Sequence, residues 1–196
     1  MTLATLLTLA RLASVPVIAY LLLAREPLAC IAALGVFGLA ALTDAYDGHL
    51  ARIRNEITPL GTFLDPLVDK VLVLTLLGVF AALGFIAWWM YGIIAIREIS
   101  VTAARIWAYR RGWDMSAKSL GKHKAAWQMV VLLVLMTILT IRTVGDSLEG
   151  GWRVLADERA MRWLSGLATG LMWVVLVLAV VSGGQFFLRM KRQSMK

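Results

Sequence analysis

Four aspartates stand in two pairs beside long apolar stretches of this chain. The first pair lies in Thr43-Asp44-Ala45-Tyr46-Asp47-Gly48-His49-Leu50-Ala51-Arg52, the second in Gly61-Thr62-Phe63-Leu64-Asp65-Pro66-Leu67-Val68-Asp69-Lys70. On helices, spacings of three and four residues put each pair on one face. An aspartate costs about 2.5–3.5 kcal/mol at the centre of a membrane helix and less near its ends. Four gathered carboxylates also repel one another unless protons or cations compensate them. Two divalent cations would neutralise the set charge for charge. Oxygen donors without histidine or cysteine favour Mg²⁺ or Mn²⁺ over zinc, and two such ions assist in-line displacement at phosphorus. Arg52, about one and a half turns beyond Asp47, adds a fixed positive charge suited to a phosphate oxygen. Gly48 and Gly61 remove side-chain bulk where a ligand can approach the backbone. A lone aspartate at a helix end is ordinarily a cap or a solvated charge; four on two facing helices, interleaved with two glycines and an arginine, make a site.

The elements that must position these residues follow from composition. The chain has 196 residues, 60% hydrophobic and 16% charged, against roughly 45–50% and 25% in soluble domains. Too little polar material is present to cover a water-soluble core of this size, and disordered chains are poor in hydrophobic residues. An integral membrane protein with one domain, 1–196, is the expectation. Charge-free runs occur at Pro27–Thr43, Val71–Ile96, Ala125–Ile141 and Trp163–Leu188, and Met1–Ala24 carries only Arg11. A span needs roughly 20 apolar residues, so Gly61 to Tyr109 holds two, joined by a tight turn near Gly84–Trp88 where Trp88, Trp89 and Tyr91 mark a membrane boundary. The predicted architecture is all-α and polytopic, with six transmembrane helices near 5–24, 28–49, 61–83, 87–109, 122–142 and 162–188. No segment shows the alternation of a membrane barrel.

The net charge of +8 fits cytoplasmic loops and anionic headgroups better than nucleic acid. One set of connections holds Arg52, Arg54, Arg110, Arg111, Lys118, Lys122 and Lys124, with Arg189, Lys191, Arg192 and Lys196 in the tail. The other holds Arg25, Arg142, Arg153, Arg159 and Arg162, diluted by Glu26, Asp146, Glu149, Asp157 and Glu158. Positive-inside bias puts the first set and both termini in the cytoplasm of a cell membrane. The apolar N-terminal segment lacks a preceding basic residue and a clear cleavage site, so it reads as a retained span rather than a signal peptide. Cys30, the single cysteine, reads as a small packing residue, and one thiol builds neither a disulfide nor a cysteine metal site. His49 and His123 are isolated and read as hydrogen-bonded or interfacial side chains, not ligands.

The spacing Asp44-x2-Asp47-Gly48-x2-Ala51-Arg52-x8-Gly61-x3-Asp65-x3-Asp69 resembles, position for position, the signature of the CDP-alcohol phosphotransferases. The resemblance implies six helices, a cytoplasm-facing site, and transfer of a substituted phosphate from a CDP-linked donor to an alcohol with release of CMP. By position it implies that Asp44 and Asp65 bridge two divalent cations, that Asp47 holds the first and Asp69 the second, and that Asp69 also takes the acceptor's hydroxyl proton. It further implies that Gly48, Arg52 and Thr58, together with Gly61, bind the CDP part of the donor.

The acceptor is read from the remaining cations. Arg97 and Arg105 lie two turns apart on the fourth span, where an uncompensated arginine is costly, and Lys122 and Lys124 open the fifth. Together they suit a phosphate-bearing acceptor, although Arg97 has Glu98 as a candidate partner and the lysines can serve as anchors. Ile96-Arg97-Glu98-Ile99, Gly121-Lys122-His123-Lys124 with Gln128, and Leu64–Lys70 are similar to segments of the phosphatidylglycerophosphate synthase branch, which implies CDP-diacylglycerol and sn-glycerol 3-phosphate as substrates. Thr2-Leu3-Ala4 and Ala125 depart from that branch's pattern. Cardiolipin synthase or phosphatidylinositol phosphate synthase chemistry is the neighbouring alternative. A cation transporter is the non-enzymatic one, but it calls for mid-span carboxylates on broken helices. A lipid donor also explains a centre at the ends of membrane helices: its tails stay in the bilayer while its pyrophosphate meets the interface. Gly166 and Gly170 form a small-xxx-small pair that suits close helix packing or a dimer face, Gly183 and Gly184 are expected to loosen the last helix, and the family resemblance implies a homodimer. Thr143–Ala160 has no functional reading.

Overall fold

A computed structural model describes residues 3–54, 59–111, 119–147 and 158–194; within these, the side chains of 3–5, 44–54, 59–66, 109–110, 119–124, 158 and 194 lie outside the description. The chain forms six helices: α1 (Leu3–Ala24), α2 (Pro27–Arg54), α3 (Pro59–Ala82), α4 (Trp88–Arg110), α5 (Ser119–Ser147) and α6 (Glu158–Ser194). No strand occurs among the described residues. Pro27 and Pro59 each open a helix, where a missing N–H costs nothing and the fixed φ is already helical.

The core is built from one stripe per helix. On α1 the buried positions Thr8, Arg11, Val15, Ile18 and Leu22 recur every three or four residues, the period of one helix face. Leu72, Leu76 and Phe80 of α3 meet this stripe, together with Cys30, Ala33 and Phe37 of α2. Leu132, Leu135 and Met136 of α5 and Met172, Val175 and Ala179 of α6 complete the same cluster. The outer faces are as apolar as the inner ones: Leu28 is 77% and Trp163 82% exposed, with Leu39, Ile96 and Val177 also outward. Helices apolar all round match a bilayer, which solvates the outer face. Among the described residues, Leu6–Ala24, Ala125–Ser147 and Arg159–Gln193 are long and apolar enough to cross a membrane, and Pro27–Thr43 is a shorter apolar run. The membrane character expected from composition therefore holds, with three segments reaching that criterion. α3 and α4 carry Asp69 and Lys70, and Arg97, Glu98 and Arg105, within their apolar lengths.

The tight turn expected after α3 has a specific construction. Gly84 takes φ 81°; its N–H donates to Ala81 O at 3.1 Å, and Phe85 N–H donates to Phe80 O at 3.0 Å. This is the paired 5→2 and 6→1 bonding of a Schellman stop. The accompanying apolar contact is Phe80 against Phe85, edge to face at 5.8 Å. Trp88 packs on Tyr91 at 5.8 Å and Trp89 on Trp173 at 5.5 Å, so the aromatic cluster also ties the α4 start to α6. A Cβ at Gly84 meets no atom within 4 Å, which isolates the backbone contribution. Gly84→Ala is expected to destabilise the protein by about 1–2 kcal/mol through its left-handed backbone alone, read as a lowered unfolding midpoint in detergent.

Over the described residues α2 and α3 each pack against α1 and α5. The apolar stripe of α1 supplies a partner for each, and it brings α1 behind the start of α3. The expected facing of the α2 and α3 aspartates falls mostly on 44–54 and 59–66, whose side chains lie outside the described residues.

Candidate active site

The candidate site residues fall on the end of α2 and the first half of α3. α2 runs unbroken through Asp44, Asp47, Gly48 and Arg52, and α3 is helical from Pro59 through Gly61, Asp65 and Asp69. The three- and four-residue spacings of the aspartates are therefore helical spacings. Their donor set is four carboxylates with no thiolate, and it fits hard divalent cations. The side chains of Asp44, Asp47, Gly48, Arg52, Gly61 and Asp65 lie outside the described residues, as do Thr58 and Lys118. Lys122 and Lys124 fall in the first turns of α5, again without described side chains.

Asp69 is the aspartate whose surroundings are described. It continues the inward stripe of α3 (Leu72, Leu76, Phe80), yet its side chain keeps 43% exposure. Arg11 of α1 approaches it from the packed side: Arg11 Nη1 donates to Asp69 Oδ1 at 3.2 Å, and the arginine side chain is 4% exposed. Sequence reading missed Arg11 as a site residue. Its signal was there, because Arg11 falls on the buried stripe of α1 rather than on its lipid face.

Next to Asp69, Lys70 turns toward α4. Its Nζ donates to Thr102 Oγ1 at 2.5 Å, and that hydroxyl donates in turn to Glu98 O at 2.6 Å. The ammonium thus fastens α3 to α4, one residue from Asp69.

Arg97 is placed differently from expectation. Its Nε donates to Ala179 O at 3.0 Å, Nη2 to Ser182 Oγ at 2.8 Å and Nη1 to the buried Glu98 at 3.1 Å. The side chain is 14% exposed. Gly183 admits it: a Cβ there would lie 3.2 Å from Arg97 Cγ. The glycine that was expected to loosen α6 instead lets α4 approach an unbroken helix. A planar fork with all three nitrogens engaged inside the protein is a clamp between α4 and α6.

Arg105, two turns along α4, has fewer commitments. Its guanidinium carbon lies 5.9 Å from the Phe186 ring centroid, a cation–π distance. Its buried Nε has no hydrogen-bond partner among the described residues, and neither has Nε2 of buried Gln128 on α5.

The chain is a helical membrane protein with acidic pairs on two consecutive helices, and the buried Arg11 meets one of those aspartates, Asp69. Residues 1–181 match the CDP-alcohol phosphatidyltransferase family, and the chain belongs to it. It is 31% identical over 193 residues to the CDP-diacylglycerol–glycerol-3-phosphate 3-phosphatidyltransferase of Bacillus subtilis, covering 92% of this chain and 91% of that one. It is 38% identical over 133 residues to a probable phosphatidylglycerophosphate synthase of Mycobacterium tuberculosis, covering 66% and 63%. It is 35% identical over 150 residues to a cardiolipin synthase (CMP-forming) of Oryza sativa, covering 69% of this chain and 46% of the rice protein. The matches thus span less than two thirds of the mycobacterial and rice relatives.

Proposed function

We propose that the protein transfers the phosphatidyl group of CDP-diacylglycerol to sn-glycerol 3-phosphate, forming phosphatidylglycerophosphate and CMP. The observation that carries the reading is the unbroken helical register of α2 and α3 through all eight signature positions. Membership of the family and the similarity to the Bacillus subtilis enzyme over nearly the whole chain support the choice of substrates. All six helices cross the membrane in this reading, both termini face the cytoplasm, and the site opens there; the basic residues at that end support the orientation. A homodimer belongs to the same reading, and the open space over Gly166 and Gly170 on the outer face of α6 supports close approach by a second copy.

Asp44, Asp47, Asp65 and Asp69 would hold two divalent cations, Mg²⁺ or Mn²⁺. Such ions draw charge from the pyrophosphate and stabilise departing CMP. Gly48, Arg52, Thr58 and Gly61 accommodate the CDP moiety. The Asp69 carboxylate takes the proton of the acceptor hydroxyl as its oxygen bonds to the phosphorus that carries diacylglycerol; the bond from that phosphorus to the CMP oxygen breaks. Arg105, Lys122 and Lys124 hold the acceptor's phosphate. Arg97, first read as a fourth phosphate ligand, fits better as the clamp that fixes the α4 backbone from which Arg105 projects.

Arg105→Gln tests the acceptor pocket. Loss of one charge-assisted hydrogen bond to phosphate is worth about 1.5–3 kcal/mol, so KM for glycerol 3-phosphate is expected to rise roughly 10- to 100-fold with KM for CDP-diacylglycerol little changed. An unchanged acceptor KM removes Arg105 from the pocket.

The rice relative favours a second reading in which phosphatidylglycerol is the acceptor and cardiolipin the product. Product analysis with glycerol 3-phosphate, phosphatidylglycerol, inositol phosphate and serine supplied singly separates the two. Phosphatidylglycerophosphate as the dominant product is the expected result; cardiolipin from phosphatidylglycerol, with none from glycerol 3-phosphate, would replace the first reading by the second.

A further inference from the structure

We propose that Arg11 is a positioning residue for Asp69, holding the carboxylate from behind so that its exposed part faces the reacting hydroxyl; this rests on the reaction proposed above. The geometry is one-sided. Arg11 is 4% exposed and reaches Asp69 Oδ1 at 3.2 Å, while Asp69 keeps 43% of its side-chain surface open. A guanidinium is costly in an apolar bundle, and on α1 it occupies a stripe otherwise filled by Thr8, Val15, Ile18 and Leu22. An apolar residue would fill that place with less penalty; Arg11 instead directs a buried guanidinium to Asp69.

Asp69 is contacted from α1, and the residues on either side of it in α3 are themselves anchored. Arg11 reaches it from α1. Lys70, the next residue along, is bound to Thr102 of α4. Val68, the residue before it, is buried in the packing of α3. An aspartate side chain on a helix has two rotatable bonds, and only a side-chain contact fixes them. Arg11 makes that contact from a position itself fixed by burial, without covering the carboxylate. Misplacement of a reacting group by about 1 Å can cost on the order of 10²-fold in rate.

The test compares Arg11→Gln, Arg11→Met and Arg11→Lys in detergent-purified full-length protein. Turnover of CDP-diacylglycerol and glycerol 3-phosphate is measured per folded molecule, together with both KM values. Unfolding midpoints are taken for each variant and for its combination with Asp69→Asn. The positioning role predicts kcat lower by about 10²-fold in the Gln and Met variants, both KM values within about threefold, and partial recovery of kcat in the Lys variant. It also predicts that Arg11→Met and Asp69→Asn shift the midpoint by less in combination than the sum of their separate shifts. Wild-type kcat in a folded Gln or Met variant overturns the proposal. So does a change confined to the midpoint, or failure of both variants to fold, since the pair would then serve the fold alone. An inactive wild type strikes at the reaction instead, and the coupling of midpoints still reports on the pair.

Discussion

Asp69→Asn is expected to lower the rate of CMP formation by about 10²–10⁴-fold, the range ordinarily lost with a general base. Asparagine preserves shape and keeps an oxygen that can accept from Arg11, but it removes the charge that the buried guanidinium faces, so part of the pair's contribution to stability is lost. It cannot accept a proton from the acceptor hydroxyl, and it is a poorer ligand for a hard cation. Because the loss falls on the chemical step, kcat and kcat/KM drop together. The measurement is steady-state release of CMP at varied glycerol 3-phosphate, with folding of the variant checked by its unfolding midpoint. A folded Asp69→Asn protein with full turnover would remove Asp69 from catalysis.

The second large effect concerns stability. Arg97→Met is expected to destabilise the protein by about 3–5 kcal/mol, because it takes the cation from a buried pair and leaves Glu98 without that compensation. It also deprives Ala179 O and Ser182 Oγ of the guanidinium that holds them to α4. Lysine is not an equivalent replacement, since a single ammonium cannot reach three acceptors in one plane. Chemical denaturation in micelles reads the loss. In whatever fraction of Arg97→Met folds, KM for glycerol 3-phosphate is expected to remain near that of the unmodified protein. A tenfold rise in that KM with undiminished stability would return Arg97 to the acceptor pocket.

These two residues mark what a linear sequence conveys and what it does not. The aspartate pattern was legible because its short spacings lie on two continuous helices, and helical periodicity is a local property. The six helices were legible for the same reason: each is a long apolar run. Their observed bounds lie within a few residues of expectation except at the ends of α2, α5 and α6, where helical bonding continues past the apolar stretch into charged residues. Gly84 and the aromatic residues after it marked the α3–α4 turn correctly.

The contacts of Arg97 were not legible because a buried arginine advertises only its need for partners, not whether they are substrate or protein. Its partners Ala179 and Ser182 lie more than eighty residues away, and one of them is a backbone carbonyl that no residue type reveals. The role of Gly183 was hidden for a related reason. In sequence a glycine in a helix suggests weakness, whereas here the missing Cβ leaves room for Arg97. Arg11 escaped notice since a single charge in a first span looks like an interfacial anchor. Only its phase with Val15, Ile18 and Leu22 shows that it points inward. The packing of α2 and α3 against α1 and α5 over the described residues is likewise tertiary, set by contacts far apart in the chain.

The central claim is that these aspartates serve transfer of a phosphatidyl group to an alcohol, and an omission experiment on purified protein tests it most directly. CMP release from CDP-diacylglycerol is measured with glycerol 3-phosphate and Mg²⁺ or Mn²⁺ present, then with each withheld and with a chelator added. The expected result is CMP formed in step with phosphatidylglycerophosphate in the complete mixture, with both falling to background when either acceptor or metal is missing. Active, folded protein that releases CMP without an alcohol acceptor, or turns over undiminished in chelator, would contradict the account.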